Sequence, residues 1–245
     1  MLNGLTTTSV LLQAIAASQD GTWLNNPVIT EFFWTAMLET ILMTVWSTFF
    51  AVLLGLPLGL ILVATAPGGL YHHLKIARVT NQLLGFIVNV GRSLPFVILL
   101  IAILPFTRWL IGTSLGWKAA VVPLSIAAIP FFARLVESNI QGVGFGKIEA
   151  AKMAGATSSQ IMWGIQVREA LPALIQSITV TTIALIGYSA MAGPLGADGL
   201  GKLALNYGYA QFQGDVMLVT VVGVLVLVMI VQATGDMLSR LVDHR

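Results

Sequence analysis

Five long apolar stretches dominate this sequence and restrict its fold more than any other feature. They cover roughly residues 36–66, 83–104, 119–136, 171–192 and 216–238. A helix crosses the hydrocarbon core of a bilayer in about 20 residues, and each stretch reaches or approaches that length. The runs are continuous rather than alternating, which fits helices and not the every-second-residue pattern of a barrel strand. With 57% hydrophobic and 9% charged residues, the chain lacks the polar side chains that would cover a water-facing surface. A mean hydropathy of +0.90 agrees. The expected fold is an all-α integral membrane protein with five transmembrane helices.

Several functions are excluded at once. There is no cysteine, so disulfides, thiolate catalysis and Cys-ligated metals are ruled out. His72, His73 and His244 are the only histidines, too few and too scattered for a histidine metal site. No GxxxxGK[ST] phosphate loop occurs. No two carboxylates are spaced for acid–base work; Asp198 and Asp215 belong outside, and Arg134 with Glu137 reads as an i,i+3 pair. No catalytic residue, metal or resident cofactor is therefore expected. The net charge of +2 is small and gives no reason to expect a nucleic-acid partner.

Lysine and arginine placement sets the orientation. Residues 1–35 contain neither, so Val10–Ala17 lacks the basic n-region of a signal peptide and reads as an extracytoplasmic, interfacial lead-in. Across five spans, Lys75, Arg78, Arg92, Arg134, Lys147, Lys152, Arg168, Arg240 and Arg245 fall on one side. Arg108, Lys118 and Lys202 fall on the other, a split of nine to three. The N-terminus is then outside and the C-terminus cytoplasmic, in a multi-pass plasma-membrane protein. Proline recurs inside the apolar runs, at Pro57, Pro95, Pro123 and Pro130. Repeated kinks suit a lumen or moving parts better than a simple anchor.

Between the third and fourth runs lies a polar island, 144–170, on the cytoplasmic side. Gly142, Gly144 and Gly146 precede a run of helix formers from Ile148 to Ala154. Ala150, Ala151 and Ala154 fall on one side of that helix, with Glu149, Lys152 and Met153 on the other. Gly155 stands where a helix-terminating glycine belongs, and Thr157-Ser-Ser-Gln160 has capping-box spacing. The pattern predicts two short helices at the membrane surface, with Ile161, Met162 and Ile165 resting against the ends of the spans. An alanine face asks for a partner surface, and a chain without energy-coupling chemistry of its own asks for a motor.

Glu149-Ala150-Ala151, three residues, then Gly155, then nine residues and Ile165, resembles the EAA signature of ABC importer permeases. Gly187-Tyr-Ser-Ala-Met-Ala-Gly193, Asn89–Phe96 and Gly199–Phe212 are similar to the permeases of the methionine-importer branch. The resemblance covers roughly residues 35–240. It implies a permease domain over 36–242 with the type I importer fold and its pair of coupling helices. It also implies a second copy of the chain, a cytoplasmic ABC ATPase dimer carrying ATP and Mg, and an extracytoplasmic binding protein or lipoprotein. In this reading Glu149, Ala150, Ala151, Ala154, Gly155 and Ala156 shape or contact the ATPase dock. One departure stands out: the family's Leu-Pro after the isoleucine is Val167-Arg168 here, and Leu171-Pro172 comes four residues later.

Tyr188, Ser189, Met191 and Arg92 are candidate pathway or gate residues. Each has a plainer reading, since small residues pack helices together and an arginine near the cytoplasmic end can snorkel to the headgroups. The substrate implied is methionine or a derivative, moved by alternating access. A permease for another amino acid or small solute is the alternative. An ATPase-independent channel or ion-coupled carrier would want acidic or histidine residues mid-span, which the runs nearly lack.

Overall fold

The computed structural model describes residues 26–71 and 74–243. The lead-in Val10–Ala17, His72, His73, His244 and Arg245 lie outside the described residues. Helices form every regular element among those described. They are α1 (Pro27–Thr65), α2 (Lys75–Ser93), α3 (Phe96–Ile111), α4 (Trp117–Gln141), α5 (Phe145–Met153), α6 (Ser158–Leu195), a short α7 (Leu200–Leu203) and α8 (Gly214–Val242).

The first helix begins at Pro27, ahead of the apolar run expected from Ala36. Proline at the first helical position loses no needed donor, and the Asn26 side chain caps the turn by accepting from Val28 N at 3.0 Å. Asn26 Nδ2 also donates to Asp215 Oδ2 at 2.8 Å, which ties the start of α1 to the start of α8. With 39 residues, α1 is about 59 Å long, well beyond the ~30 Å hydrocarbon core.

The second apolar run is not one helix. Proline forces the residue before it toward extended backbone, and Leu94 at φ −79°, ψ 127° obeys. The chain breaks there, and α2 and α3 meet at 109°. Four described helices are long and apolar enough to cross a membrane singly, and a fifth span results if the bent α2–α3 pair counts as one.

The centre of the bundle is α4. Two thirds of its most apolar window, 67%, is buried, against 39% for α1 and 17% for α8. Leu124, Phe132, Val136 and Ile140 have no exposed surface. Gly59 permits the close α1–α4 approach, since a Cβ there would stand 2.6 Å from Val136 Cβ. Around this shaft, α1, α2, α3 and α6 pack directly, and α8 lies outside against α6. That outer position explains its Val- and Leu-rich surface, which lipid can cover.

At the end where α1 and α8 begin, the link from α6 to α8 folds back on the bundle. Gly199 N donates to Glu39 Oε2 at 3.1 Å and Leu200 N to Thr40 Oγ1 at 2.9 Å. Asp198 accepts from Trp117 N at 3.2 Å and from Lys202 Nζ at 2.9 Å. These bonds pin one loop to the fourth turn of α1 and the first turn of α4. The opposite end carries α5.

Candidate functional site

The α5 end is built from two short helical pieces joined by a glycine turn. None of the described side chains of α5 is buried. A helix this short is marginal in water by itself, so its ends must hold it. The C-terminal closure is a Schellman arrangement: Gly155 N donates to Lys152 O and Ala156 N to Ala151 O, both at 3.0 Å. Gly155 sits at φ +80°, the left-handed region that suits glycine. Lys147 Nζ forms an ion pair with Glu169 Oε1, anchoring the start of α5 to α6.

The next piece starts on a complete capping box. Thr157 Oγ1 accepts from Gln160 N, and the Gln160 side chain accepts from Thr157 N at 2.8 Å. Ser158–Ile161 is therefore the second short helix, and it does not end before the span. Six π-helical residues, Met162–Val167, lead without a break into Arg168–Ala192. Arg168 is the reason: a proline there would remove a backbone donor, whereas Arg168 N bonds to Ile165 O. Ile161 and Met162 are buried, and Ile165 is half-buried, against the ends of the spans.

The resulting surface is exposed and largely apolar. Glu149, Ala150, Ala154 and Gly155 are exposed, while Ala151 and Ala156 are half-buried. Met153 is 84% exposed and Trp163 58%. Beside them, a cavity of about 380 Å³ opens among Lys147, Ile165, Arg168, Glu169 and Val242.

The pathway candidates lie near the α2–α3 break. Tyr188 stacks on Phe96 with ring centroids 4.8 Å apart and planes 11° apart. Met191, one turn further along α6, is 53% exposed. Ser189 is turned inward, where its Oγ donates to Ile186 O at 2.7 Å. Arg92 is exposed, one turn before Phe96. The helix carrying it starts at Lys75 rather than Leu83, so Arg92 stands deeper in the bundle. Neighbouring Gly91 faces Pro130, at the middle of α4; a Cβ there would lie 2.9 Å from Pro130 Cγ. Phe96 is a functional candidate that sequence reasoning passed over, although an aromatic just after the Pro95 break was the available signal. Glu39 and Thr40, which hold the distal loop, carried no signal because each pairs with backbone 160 positions away. Arg134 and Glu137 form the expected pair at 2.6 Å. No group of three His, Asp or Glu residues able to hold a metal is found among the described residues.

A kinked helical bundle of membrane-length spans with a short exposed helix at one end is the architecture of a membrane transport subunit. The chain belongs to the family of binding-protein-dependent transport system inner membrane components, whose profile matches residues 55–245. It is 45% identical over 221 residues to a probable D-methionine transport system permease protein MetI of Vibrio cholerae, covering 86% of this chain and 96% of that one. It is 44% identical over 220 residues to the methionine import system permease protein MetP of Bacillus subtilis, covering 90% and 97%. Its fold is similar to a chain of the MetNI methionine ABC transporter in an inward-facing conformation. The TM-score is 0.85 at 40% identity, over 89% of this chain and all of that one. An amino acid ABC transporter solved with histidines shares the fold at 18% identity, TM-score 0.74.

Proposed function

We propose that this permease imports methionine or a close derivative, driven by a separate ATPase that docks on α5. The observation carrying the docking assignment is α5 itself, a nine-residue helix with no buried residue among its described side chains, held at both ends and followed by a turn, with Glu149, Ala150, Ala154 and Gly155 exposed. Ala151 and Ala156 shape the turn beneath that surface. The methionine assignment follows from the relatives, whose names carry it over nearly the whole chain.

In this reading α5 faces the cytoplasm, the N-terminus is outside and the C-terminus inside, with 36–242 as the permease domain and 144–170 as its coupling loop. Two copies frame a central path, each seated on one ATPase subunit that supplies ATP and Mg. Closure of the ATPase pair moves α5, and the bundles swing from inward-open to outward-open. An extracytoplasmic binding protein or lipoprotein then delivers substrate, and hydrolysis resets the assembly. Arg92, Tyr188 and Met191 line or gate the path, with Ser189 holding the Tyr188 turn of α6 in place.

The test is uptake of labelled methionine by the membrane-reconstituted permease purified with its ATPase. Uptake that needs ATP and a stoichiometric ATPase supports the reading. Uptake without a co-purifying ATPase, or uptake of other amino acids with none of methionine, overturns it.

A further inference from the structure

Helix α2 shows three different faces, and one of them has no place in a lipid environment. At about 100° per residue, Ile76, Val79, Leu83, Phe86 and Val90 form an exposed apolar stripe. Ala77 and Val88 form the buried face, with Val88 packed against Leu62 and Ala133. The third face holds Arg78, Gln82, Asn89 and Arg92, all exposed, within about 80° of arc and over about 21 Å of helix. The apolar stripe suits lipid or a neighbouring helix. The polar lane does not.

Depth sharpens the contrast. Asn81 Nδ2 donates to Leu62 O at 2.9 Å, which sets the lower part of α2 level with the end of α1. Gly91 is set level with Pro130, halfway along α4. Arg92 thus stands level with the middle of α4, and a hydrocarbon core of ~30 Å centred there would leave its side chain about 15 Å from either headgroup layer, too far to snorkel. Arg92 has no hydrogen-bond or ion-pair partner among the described residues. A guanidinium at that depth must face water or an anion.

Among the described residues, a second copy of the chain has no anion to offer there. Of the nine described carboxylates, Glu31 and Glu39 precede the middle of α1, and Asp198 and Asp215 belong to the distal end. Glu137, Glu149, Glu169, Asp236 and Asp243 belong to the α5 end, and Glu137 is buried and held by Arg134. None of these nine stands at mid-depth.

We infer that the polar lane of α2 lines the water-filled passage and that Arg92 holds the carboxylate of the solute in transit. The ligand class is a small carboxylate, such as the zwitterion of an amino acid. This rests on the importer reading above. A guanidinium suits the role because its forked donors match a carboxylate two-for-two and it stays charged at any working pH. With Asn89 one turn below and Tyr188–Phe96 one turn above, the carboxylate is held just before the aromatic stack.

The chain's lack of cysteine gives a direct test. In the purified permease–ATPase complex, Asn89→Cys is probed with a sulfonate-bearing and a trimethylammonium-bearing methanethiosulfonate. The expected result is labelling by both, with the anion favoured about fivefold, the factor one close charge gives in water. Arg92→Gln should abolish that preference and Arg92→Lys should keep it. Methionine should slow labelling and methioninol, which lacks the carboxylate, should not. Leu83→Cys on the apolar stripe should stay unlabelled, and co-purification of the ATPase reports assembly of each variant. An unlabelled Asn89→Cys, or a charge preference and methionine protection unchanged in Arg92→Gln, overturns the inference. Failure of the unsubstituted complex to take up methionine, with the Arg92-dependent preference intact, would instead sink the importer substrate and leave the lane standing.

Discussion

Replacing Gly155 by alanine isolates the turn between the two short helices. The residue stands at φ +80°, and a Cβ built on it meets nothing within 4 Å. The penalty is therefore torsional, with no contribution from packing. An L-residue in the left-handed region costs about 1–2 kcal/mol. That is a five- to thirtyfold change in the population of the turn, since ~1.4 kcal/mol is a factor of ten. Because no described side chain of α5 is buried, the loss should stay local. The expected outcome is normal membrane insertion, a melting temperature close to the parent's, and about five to thirty times less methionine taken up per ATP hydrolysed. Gly155→Asn should fall between the two, because asparagine visits this region at lower cost. The assay is simultaneous uptake and phosphate release in proteoliposomes. Equal coupling in Gly155→Ala and the parent would refute the turn's role. Equal defects in alanine and asparagine variants would refute the torsional explanation.

Three further changes test other parts of the fold. Gly235→Ala places a Cβ 1.9 Å from Thr179 Oγ1; overpacking of this kind costs about 1–3 kcal/mol. Thermal melts should show the loss, and adding Thr179→Ala should restore most of it; no rescue would mean the contact is not the cause. The Asp198 hydrogen bond holds the Lys202 ammonium above its ordinary pKa, so its stabilisation is full below that value and fades as pH rises through the raised one. With the Lys202 side chain 46% exposed, Lys202→Gln should cost under ~1 kcal/mol, constant through neutral pH and vanishing above about pH 10.4; a cost that grows with pH contradicts the pairing. Arg168→Pro should cost less than the ~3 kcal/mol of an interior proline, because the π turn already leaves Arg168 N only a bond to Ile165 O; loss of assembly would show that the turn depends on that donor.

The apolar runs made the membrane helices legible, and capping chemistry made the α5 end legible, because both signals are local. Gly155, Thr157 and Gln160 do in space what their spacing announced. The sequence misplaced what depends on backbone continuity. Hydropathy averages across Pro95, so one smooth run from 83 to 104 hid a 109° bend. It also discounted residues 75–82, whose polar side chains belong to the same helix as Arg92. Glu39 and Thr40 pair with a loop 160 residues away, a kind of information that no window of sequence contains.

The unbroken course of α6 has a mechanical consequence. Its 38 residues extend for about 57 Å, from the capping box beside α5 to the Tyr188–Phe96 stack and the distal loop. A helix transmits displacement along its axis better than a kinked pair, because each backbone bond lies nearly parallel to that axis. Where the family pattern breaks the entry to this span with proline, this chain has Arg168 and the π turn Met162–Val167. The compliant places, the π turn and Pro172, therefore both lie next to the proposed dock, and the arm from Ala173 onward is the stiffer part. Phe96 belongs to α3, past the bend, so a shift of Tyr188 is felt by the half-helix that Arg92 immediately precedes. The two pathway elements thus meet α5 through a single rod, which is the geometry needed if docking at one end is to be felt in the path.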